Sequence, residues 1–264
     1  MIAVVIPSKT QLYLSRLFDS MNQSEFGWFA TGDVKLYVVD SGLNRPIPFH
    51  WRVYGNNLRI IPYDRPEFIF SRAVNLGIAA ALEPSASRLV PDGILIMNDD
   101  TLVQSPNFFK NLALALRDPD LQGVGIFSPV ITGGVGNREQ SIRVPSPFKV
   151  LITHRTICFV AALVRSEVLI VDGLRLDERY TGYGWEDNDF CRQVRKPGWL
   201  CGVLSSVEVK HGSDETGIMH GTFGRGRTPT EMRSLFLEGQ RIFLEKWGPN
   251  AVEEERAADL PFML

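Results

Sequence analysis

The chain has 264 residues, 44% apolar and 22% charged, which is material for one large folded domain with a sizeable core. Its 28 Lys and Arg against 30 Asp and Glu leave a formal net charge of −2, with no electrostatic footprint for non-specific nucleic-acid binding. No stretch approaches the roughly 20 apolar residues of a membrane-spanning helix.

The first apolar run, Ile2–Ile6, is β-branched and ends at Pro7, which predicts a strand buried on both faces. It is too short, and lacks the charged lead-in, for a secretory leader, so the expected compartment is the cytosol. Leu14, Leu17, Phe18 and Met21 then recur at helical spacing over 10–21, and Leu36–Val39 reads as a strand closed by the turn signal Asp40-Ser41-Gly42. Residues 43–57 read as loop, and Leu58–Ile61 as a short strand. A helix is expected over Pro66–Leu82, with proline in its first turn. Ile94–Met97 is again a strand, with Asn98-Asp99-Asp100 just past its carboxyl end, and Pro106–Leu116 (helix) and Val124–Phe127 (strand) follow.

This alternation argues a parallel, doubly wound sheet, whose ligands bind outside the carboxyl ends of its strands. Asp40, Asp99 and Asp100 all lie at such ends, which makes them candidate site residues on physical grounds. The second half changes character. Residues 131–156 read as a hairpin or loop excursion, Ile157–Val164 as a buried strand, Ser166 as the cap of a short helix, and Glu186–Lys196 as a helix. Leu200–Leu204 and Val207–Val209 are expected strands leading to His211. The Gly-rich stretch 212–228 has no periodicity and is expected to be mobile. Pro229–Trp247 is expected to close the domain as an amphipathic helix, with 249–264 a loose tail. Cys158, Cys191 and Cys201 are odd in number and lack metal-finger spacing, so they read as small buried apolar residues.

Three constellations carry chemistry. Two adjacent acids after a buried strand, Asp99 and Asp100, fit a divalent cation bridging a diphosphate, Mg²⁺ or Mn²⁺; the same residues also suit a turn that caps a helix. In Gly182-Tyr183-Gly184-Trp185-Glu186-Asp187, the acids suit a helix N-terminus, but the lead-in also suits a ligand. Its glycines let backbone approach closely, Trp185 with Tyr183 offers a sugar-stacking surface, and a carboxylate there could deprotonate a hydroxyl. His211 beside a carboxylate suits Mn²⁺, and His220 competes for that role.

Taken in order, these pieces resemble family 2 glycosyltransferases and their relatives. Val4-Val5-Ile6-Pro7-Ser8 is similar to that group's first strand, and Tyr37-Val38-Val39-Asp40-Ser41-Gly42 to its uracil-contacting stretch. Phe70-Ser71-Arg72-Ala73 and the Gly-Trp-Glu-Asp run ending in Asp189-Phe190 resemble galactosyltransferase- and chondroitin-polymerase-like members. So do Ala162–Glu167, Asp172-Gly173-Leu174 and Leu176–Tyr180, the strand, helix and turn before the Glu-Asp motif. The resemblance implies a GT-A fold, Rossmann-like, with a mostly parallel central sheet, flanking helices and a smaller acceptor-side sheet. Residues 1–128 are then the nucleotide-binding half and 129–248 the acceptor-side half.

It also implies roles. Pro7, Ser8 and Asp40 line the base and ribose pocket, Arg72 reaches the nucleotide, and Asn98-Asp99-Asp100 stand as the DXD motif, with Asn98 in place of the usual acid. Asp100 and His211 hold the metal, Asp187 is the general base, and Glu186 holds a sugar. Arg225 and Arg227 of the Gly-rich stretch fold over the diphosphate. The activity implied is metal-dependent transfer, with inversion, from a nucleotide-sugar, UDP first, to an acceptor hydroxyl on a saccharide, a protein or a modified nucleic acid. A sugar nucleotidyltransferase would need a Gly-rich loop after the first strand, where this chain has Pro7-Ser8-Lys9-Thr10. A non-catalytic nucleotide-sugar-binding relative is the other alternative, favoured by Asn98 alone.

Overall fold

The structure is a computed structural model describing residues 1–25, 27, 31–43, 49–83, 90–133, 138–141, 150–182, 184–212, 228–257 and 262–263. The first half runs β1 (Ile2–Ser8), α1 (Gln11–Glu25), β2 (Val34–Asp40), β3 (Leu58–Pro62), α2 (Phe70–Leu82), β4 (Gly93–Met97), β5 (Thr101–Val103) and α3 (Phe108–Arg117). Then come β6 (Val124–Thr132), β7 (Val150–Thr153), β8 (Ala161–Arg165), α4 (Ser166–Ile170), α5 (Glu186–Arg195), β9 (Leu200–His211), α6 (Pro229–Trp247), α7 (Ala251–Arg256) and β10 (Phe262–Met263).

Successive side chains of the inner strands enter opposite cores. Ile2, Val4 and Ile6 of β1 face one core, and Ala3 and Val5 the other; β2 and β4 divide in the same way. Strands apolar on both faces must be covered twice. Leu14, Leu17 and Phe18 of α1, with Phe108, Phe109 and Leu112 of α3, cover the first face. Ala73, Val74 and Ile78 of α2, with Phe190 and Val194 of α5, cover the second. Each such aliphatic side chain contributes about 1.5–3 kcal/mol when fully buried. Gly77 lets α2 sit against β1, since a Cβ there would overlap the Val5 side chain.

The sheet order is β10-β7-β9-β6-β8-β4-β1-β2-β3, with β5 branching from β9. Strands β3, β2, β1 and β4 are mutually parallel, and β8 enters antiparallel between β4 and β6. The smaller sheet is continuous with the central one: past a register shift at Pro129/Val130, the ends of β6 and β9 pair with each other, and β5 pairs with β9. Buried Arg165 ties the layers together by donating to the carbonyls of Val124, Leu116 and Leu121 at 3.1, 2.8 and 3.2 Å.

Several elements depart from the sequence expectations. Helix α2 starts at Phe70 rather than Pro66, because Tyr63 Oη donates to the Glu67 carbonyl and accepts from the Ile69 amide, fixing a bend there. Residues 157–160 are not strand, and Phe49–Asn57, expected as loop, winds into 3₁₀ turns. Ser166 begins α4 without capping it. The segment 249–264 carries α7 and β10, and β10 pairs with β7. Among the described residues no helix is long and apolar enough to cross a membrane.

Candidate active site

Strand order reverses beside β1, with β2 on one side and β4 on the other, and ligands of open α/β sheets settle outside the carboxyl ends at such a point. Ser8 ends β1 there, and its Oγ donates to Asp99 Oδ2 at 2.7 Å. The backbone N–H groups of Lys9 and Thr10 bond the same carboxylate, so Asp99 anchors the β1–α1 turn. Burial pushes Asp99 up to about 6, against the Ser8 hydrogen bond and aided by the Asp100 charge. At the end of β2, Asp40 Oδ1 accepts from the amides of Gly42 and Leu43 at 2.9 and 2.7 Å and closes that turn. Pro7 pairs with Val39 in the register beside it.

Asp100 meets His211 because of strand register. Thr101 pairs with His211 across β5 and β9, and the Gly212 amide donates to the Asp100 carbonyl at 3.0 Å. His211 Nε2 consequently lies 3.3 Å from Asp100 Oδ1, while the buried Nδ1 has no hydrogen-bond partner among the described residues. No group of three metal-ligating side chains occurs among the described residues. A carboxylate and an imidazole are donors that suit a divalent cation. Asn98 is fixed through its backbone, its amide donating to the Val160 carbonyl at 3.0 Å.

The second acid pair is delivered by a tight turn. Gly184 and Trp185 have φ of 84° and 78°, and left-handed backbone costs a bulky residue on the order of 1–2 kcal/mol. That turn sets Glu186 and Asp187 in the first turn of α5, where the helix N-terminus favours negative charge. Trp185 packs on Phe236 and Phe243 of α6, with centroids 5.5 and 5.0 Å away, and is 8% exposed. Its indole therefore serves the α6 contact, and little of its face is left for the sugar-stacking role expected of it. Glu186 Oε2 is enclosed without a hydrogen-bond partner among the described residues. Burial first, then the Asp187 charge, pushes the Glu186 carboxyl upward. Asp187 is also raised by burial, against the Asn188 amide, which donates to its Oδ1 at 2.9 Å. The two acid motifs flank one short stretch of chain: Asn188, next to Asp187, donates to Thr156 Oγ1 at 2.7 Å, and four residues on the Val160 carbonyl accepts from the Asn98 amide at 3.0 Å.

A cavity of about 540 Å³ opens at the carboxyl end of β3, lined by Tyr63, Asp64, Arg65, Arg72, Asn75 and Glu178 among others. Arg72 Nε donates to Glu178 Oε2 at 2.9 Å, and Asn75 Nδ2 to Glu178 Oε1 at 3.1 Å. The Tyr63 amide donates to the Asp40 carbonyl at 2.9 Å, which ties this cavity to the end of β2.

Tyr183, His220, Arg225 and Arg227 lie outside the described residues, as does most of 212–228. The structure brings together Ser8 with Asp99, Asp100 with His211, and Glu186 with Asp187; Arg72 stands apart in the cavity. Sequence reasoning missed Arg65, Asn75 and Glu178 as companions of Arg72. The signals were Asn75's place three residues after Arg72 and Glu178's in the Leu176–Tyr180 stretch.

No protein-family model matches the sequence, and no curated protein matches it either. The fold, however, is of the GT-A type found in glycosyltransferase structures. GalNAc-T7 with UDP, GalNAc and Mn²⁺ superposes with a TM-score of 0.67 and 14% identity over 97% of this chain and 50% of that one. Residues 1–349 of S. aureus TarS in complex with UDP-GlcNAc give a TM-score of 0.61 and 15% identity over 98% of this chain and 67% of that one. The same TarS fragment crystallised with UDP gives 0.59 and 14% over 96% and 68%. This chain thus spans half the length of the GalNAc-T7 chain, and at such identities the shared feature is the fold.

Proposed function

We propose that this protein moves a sugar, with inversion, from a nucleoside diphosphate donor, UDP first, to an acceptor hydroxyl. One juxtaposition carries the proposal: at the switch point of the sheet, the Asp100–His211 pair and the raised carboxyl of Asp187 flank the stretch Thr156–Val160, which Asn188 holds at one end and Asn98 at the other. The fold shared with structures solved with UDP, UDP-GlcNAc and Mn²⁺ supports the donor class.

Pro7, Ser8 and Asp40 take the base and ribose side, Arg72 reaches the nucleotide from the cavity, and Asn98 hydrogen-bonds a ribose hydroxyl. Asp100 and His211 would hold Mn²⁺ or Mg²⁺, which when bound offsets the charge of the leaving diphosphate. Asp187 accepts the proton of the acceptor hydroxyl as that oxygen bonds to the anomeric carbon from the face opposite the diphosphate. The bond from that carbon to the diphosphate oxygen breaks, and its electron pair leaves with the nucleoside diphosphate. Glu186, enclosed and raised, offers a hydrogen bond to a sugar hydroxyl.

Calorimetric titration of UDP, GDP and their common sugar conjugates, with Mn²⁺ and with EDTA, tests the donor site. UDP and one UDP-sugar should bind with Mn²⁺ and lose affinity at least about tenfold in Asp100→Ala, the loss of one strong charge-assisted contact. Absence of nucleotide binding in every metal condition would leave the non-catalytic relative as the better account. Slow metal-dependent hydrolysis of the donor without acceptor separates an enzyme from a binding module.

A further inference from the structure

Arg72 and Asn75 stand three residues apart on α2 and so share a face, the one that lines the cavity at the carboxyl end of β3. Against them lies the stretch 173–177, which belongs to no helix or strand. Asn75 stands in for the missing ladder. Its Oδ1 accepts from the Leu176 amide at 3.1 Å and its Nδ2 donates to the Leu176 carbonyl at 2.8 Å, so one side chain satisfies both backbone groups of a buried residue. The same Nδ2 donates to Glu178 Oε1 at 3.1 Å, and Glu178 Oε2 accepts from Arg72 Nε at 2.9 Å. Each carboxylate oxygen thus has its own donor, which fixes Glu178 between the two α2 side chains. A guanidinium carries five N–H donors, and the bond to Glu178 takes the one at Nε rather than those of the Nη groups that reach furthest.

We propose that Glu178, itself gripped by Asn75, is a positioning residue for donor binding: it holds the Arg72 guanidinium in one orientation at the cavity before the nucleotide arrives. The inference rests on the reading that Arg72 contacts the donor nucleotide. With side chains 37% and 42% exposed, the Arg72–Glu178 pair is screened by water and adds little to stability. Its effect lies elsewhere. A loose arginine on a cavity wall samples many rotamers, and ordering it on binding costs affinity that a pre-ordered one does not lose. A carboxylate on the wall of a site for an anion weakens binding by charge alone, whereas ordering Arg72 strengthens it. The two effects of Glu178 have opposite signs, and affinity measurements separate them.

The test titrates UDP, with Mn²⁺, calorimetrically into the full chain. Arg72→Ala should weaken UDP at least about tenfold, the loss of a charge-assisted contact. Glu178→Ala should weaken it about three- to tenfold, the cost of ordering one freed arginine, while the melting temperature stays near the parent value. Glu178→Gln keeps an oxygen for Arg72 Nε and should recover most of the affinity. In an Arg72→Ala background, Glu178→Ala should bring no further loss, since it acts through the missing guanidinium. A full further loss there would overturn the inference, showing general loosening. Unchanged or tighter UDP binding by Glu178→Ala, with Arg72→Ala weakened, overturns it while leaving Arg72 as a nucleotide contact. Parent affinity in Arg72→Ala removes that contact and the inference together, with the metal-dependent donor site still standing. Absence of UDP binding by the parent chain removes the proposed donor as well. If Glu178→Ala fails to fold, Asn75→Asp replaces it, keeping the acceptor for the Leu176 amide and losing the donor to Glu178 and to the Leu176 carbonyl; parent affinity in that folded variant is equally fatal.

Discussion

Asp99 and Asp100 are adjacent in sequence yet have different work. Three donors, from Ser8, Lys9 and Thr10, converge on Asp99, whereas Asp100 faces His211. Asp99→Ala should therefore destabilise the fold by about 1–3 kcal/mol, since it strands buried donors, and calorimetric unfolding checks this. Asp100→Ala should unfold near the parent temperature. At α5, the proposed base Asp187 must be ionised to accept a proton, and burial raises its pKa, so donor turnover should rise with pH along a limb displaced upward from the ordinary carboxylate range. A limb centred near the ordinary aspartate value of about 4 would show that Asp187 is solvated in the working enzyme. Asp177 acts in the opposite sense on stability. Arg179, then Lys246, hold its carboxyl below the usual range despite partial burial. Its ionised form favours the folded state at pH above about 4, and that contribution is lost as pH falls through the depressed value. Asp177→Asn should flatten the acid side of the stability profile measured by urea titration.

At the scale of elements, what was legible depended on where each segment's backbone groups found partners. Helix α6 was readable to the residue because its start is local: Thr228 caps it, Pro229 begins it, and Glu231 completes the capping box. The inner strands were readable because Ile2–Ile6, Leu36–Val39 and Ile94–Met97 are unbroken apolar runs. Residues 157–160 were misread as strand because their composition is equally apolar, but the amides of Ile157 and Cys158 are bound by Cys191 and Gln140 rather than by a ladder. Nothing in the local sequence announces those partners. The start of α2 was misplaced for a similar reason, a hydrogen-bonded Tyr63 overriding the proline signal. Asp189 repeats the lesson inside a motif: fully buried, it accepts from Lys246 at 2.9 Å and Trp247 at 2.7 Å and so fastens α6 to α5. Gly239 supplies the element-scale prediction. Alanine in mid-helix ordinarily gains about 0.5–1 kcal/mol over glycine, whereas overpacking costs about 1–3. A Cβ at Gly239 would stand 2.7 Å from the Gly184 carbonyl and 3.1 Å from Trp185 Cδ1, so the steric cost wins. Gly239→Ala should lower the melting temperature and, by shifting the turn before Glu186, reduce turnover as well.

For the whole molecule, the sheet order turned a list of acids into a site. Asp40, Asp99 and Asp100 could be placed at strand ends from pattern alone, but the meeting of Asp100 with His211 required the β5–β9 register, which no local signal encodes. Ligand linkage offers a global check. On the proposed function, a donor nucleotide at this site stabilises the fold by about 2.7 kcal/mol at a hundred times its Kd. UDP with Mn²⁺ should raise the melting temperature by several degrees, while either alone should raise it little, and scanning calorimetry reads the difference.

The pairing of Thr101 with His211 also sets an order in time. Asp100 is synthesised more than a hundred residues before the histidine that faces it, and the parallel strands β1 to β4 are complete long before β9 leaves the ribosome. Closing so long a loop is slow compared with forming helices and local turns. During refolding, recovery of Mn²⁺-dependent nucleotide binding should therefore lag the return of secondary structure, and competence of the site becomes a late clock for completion of the fold.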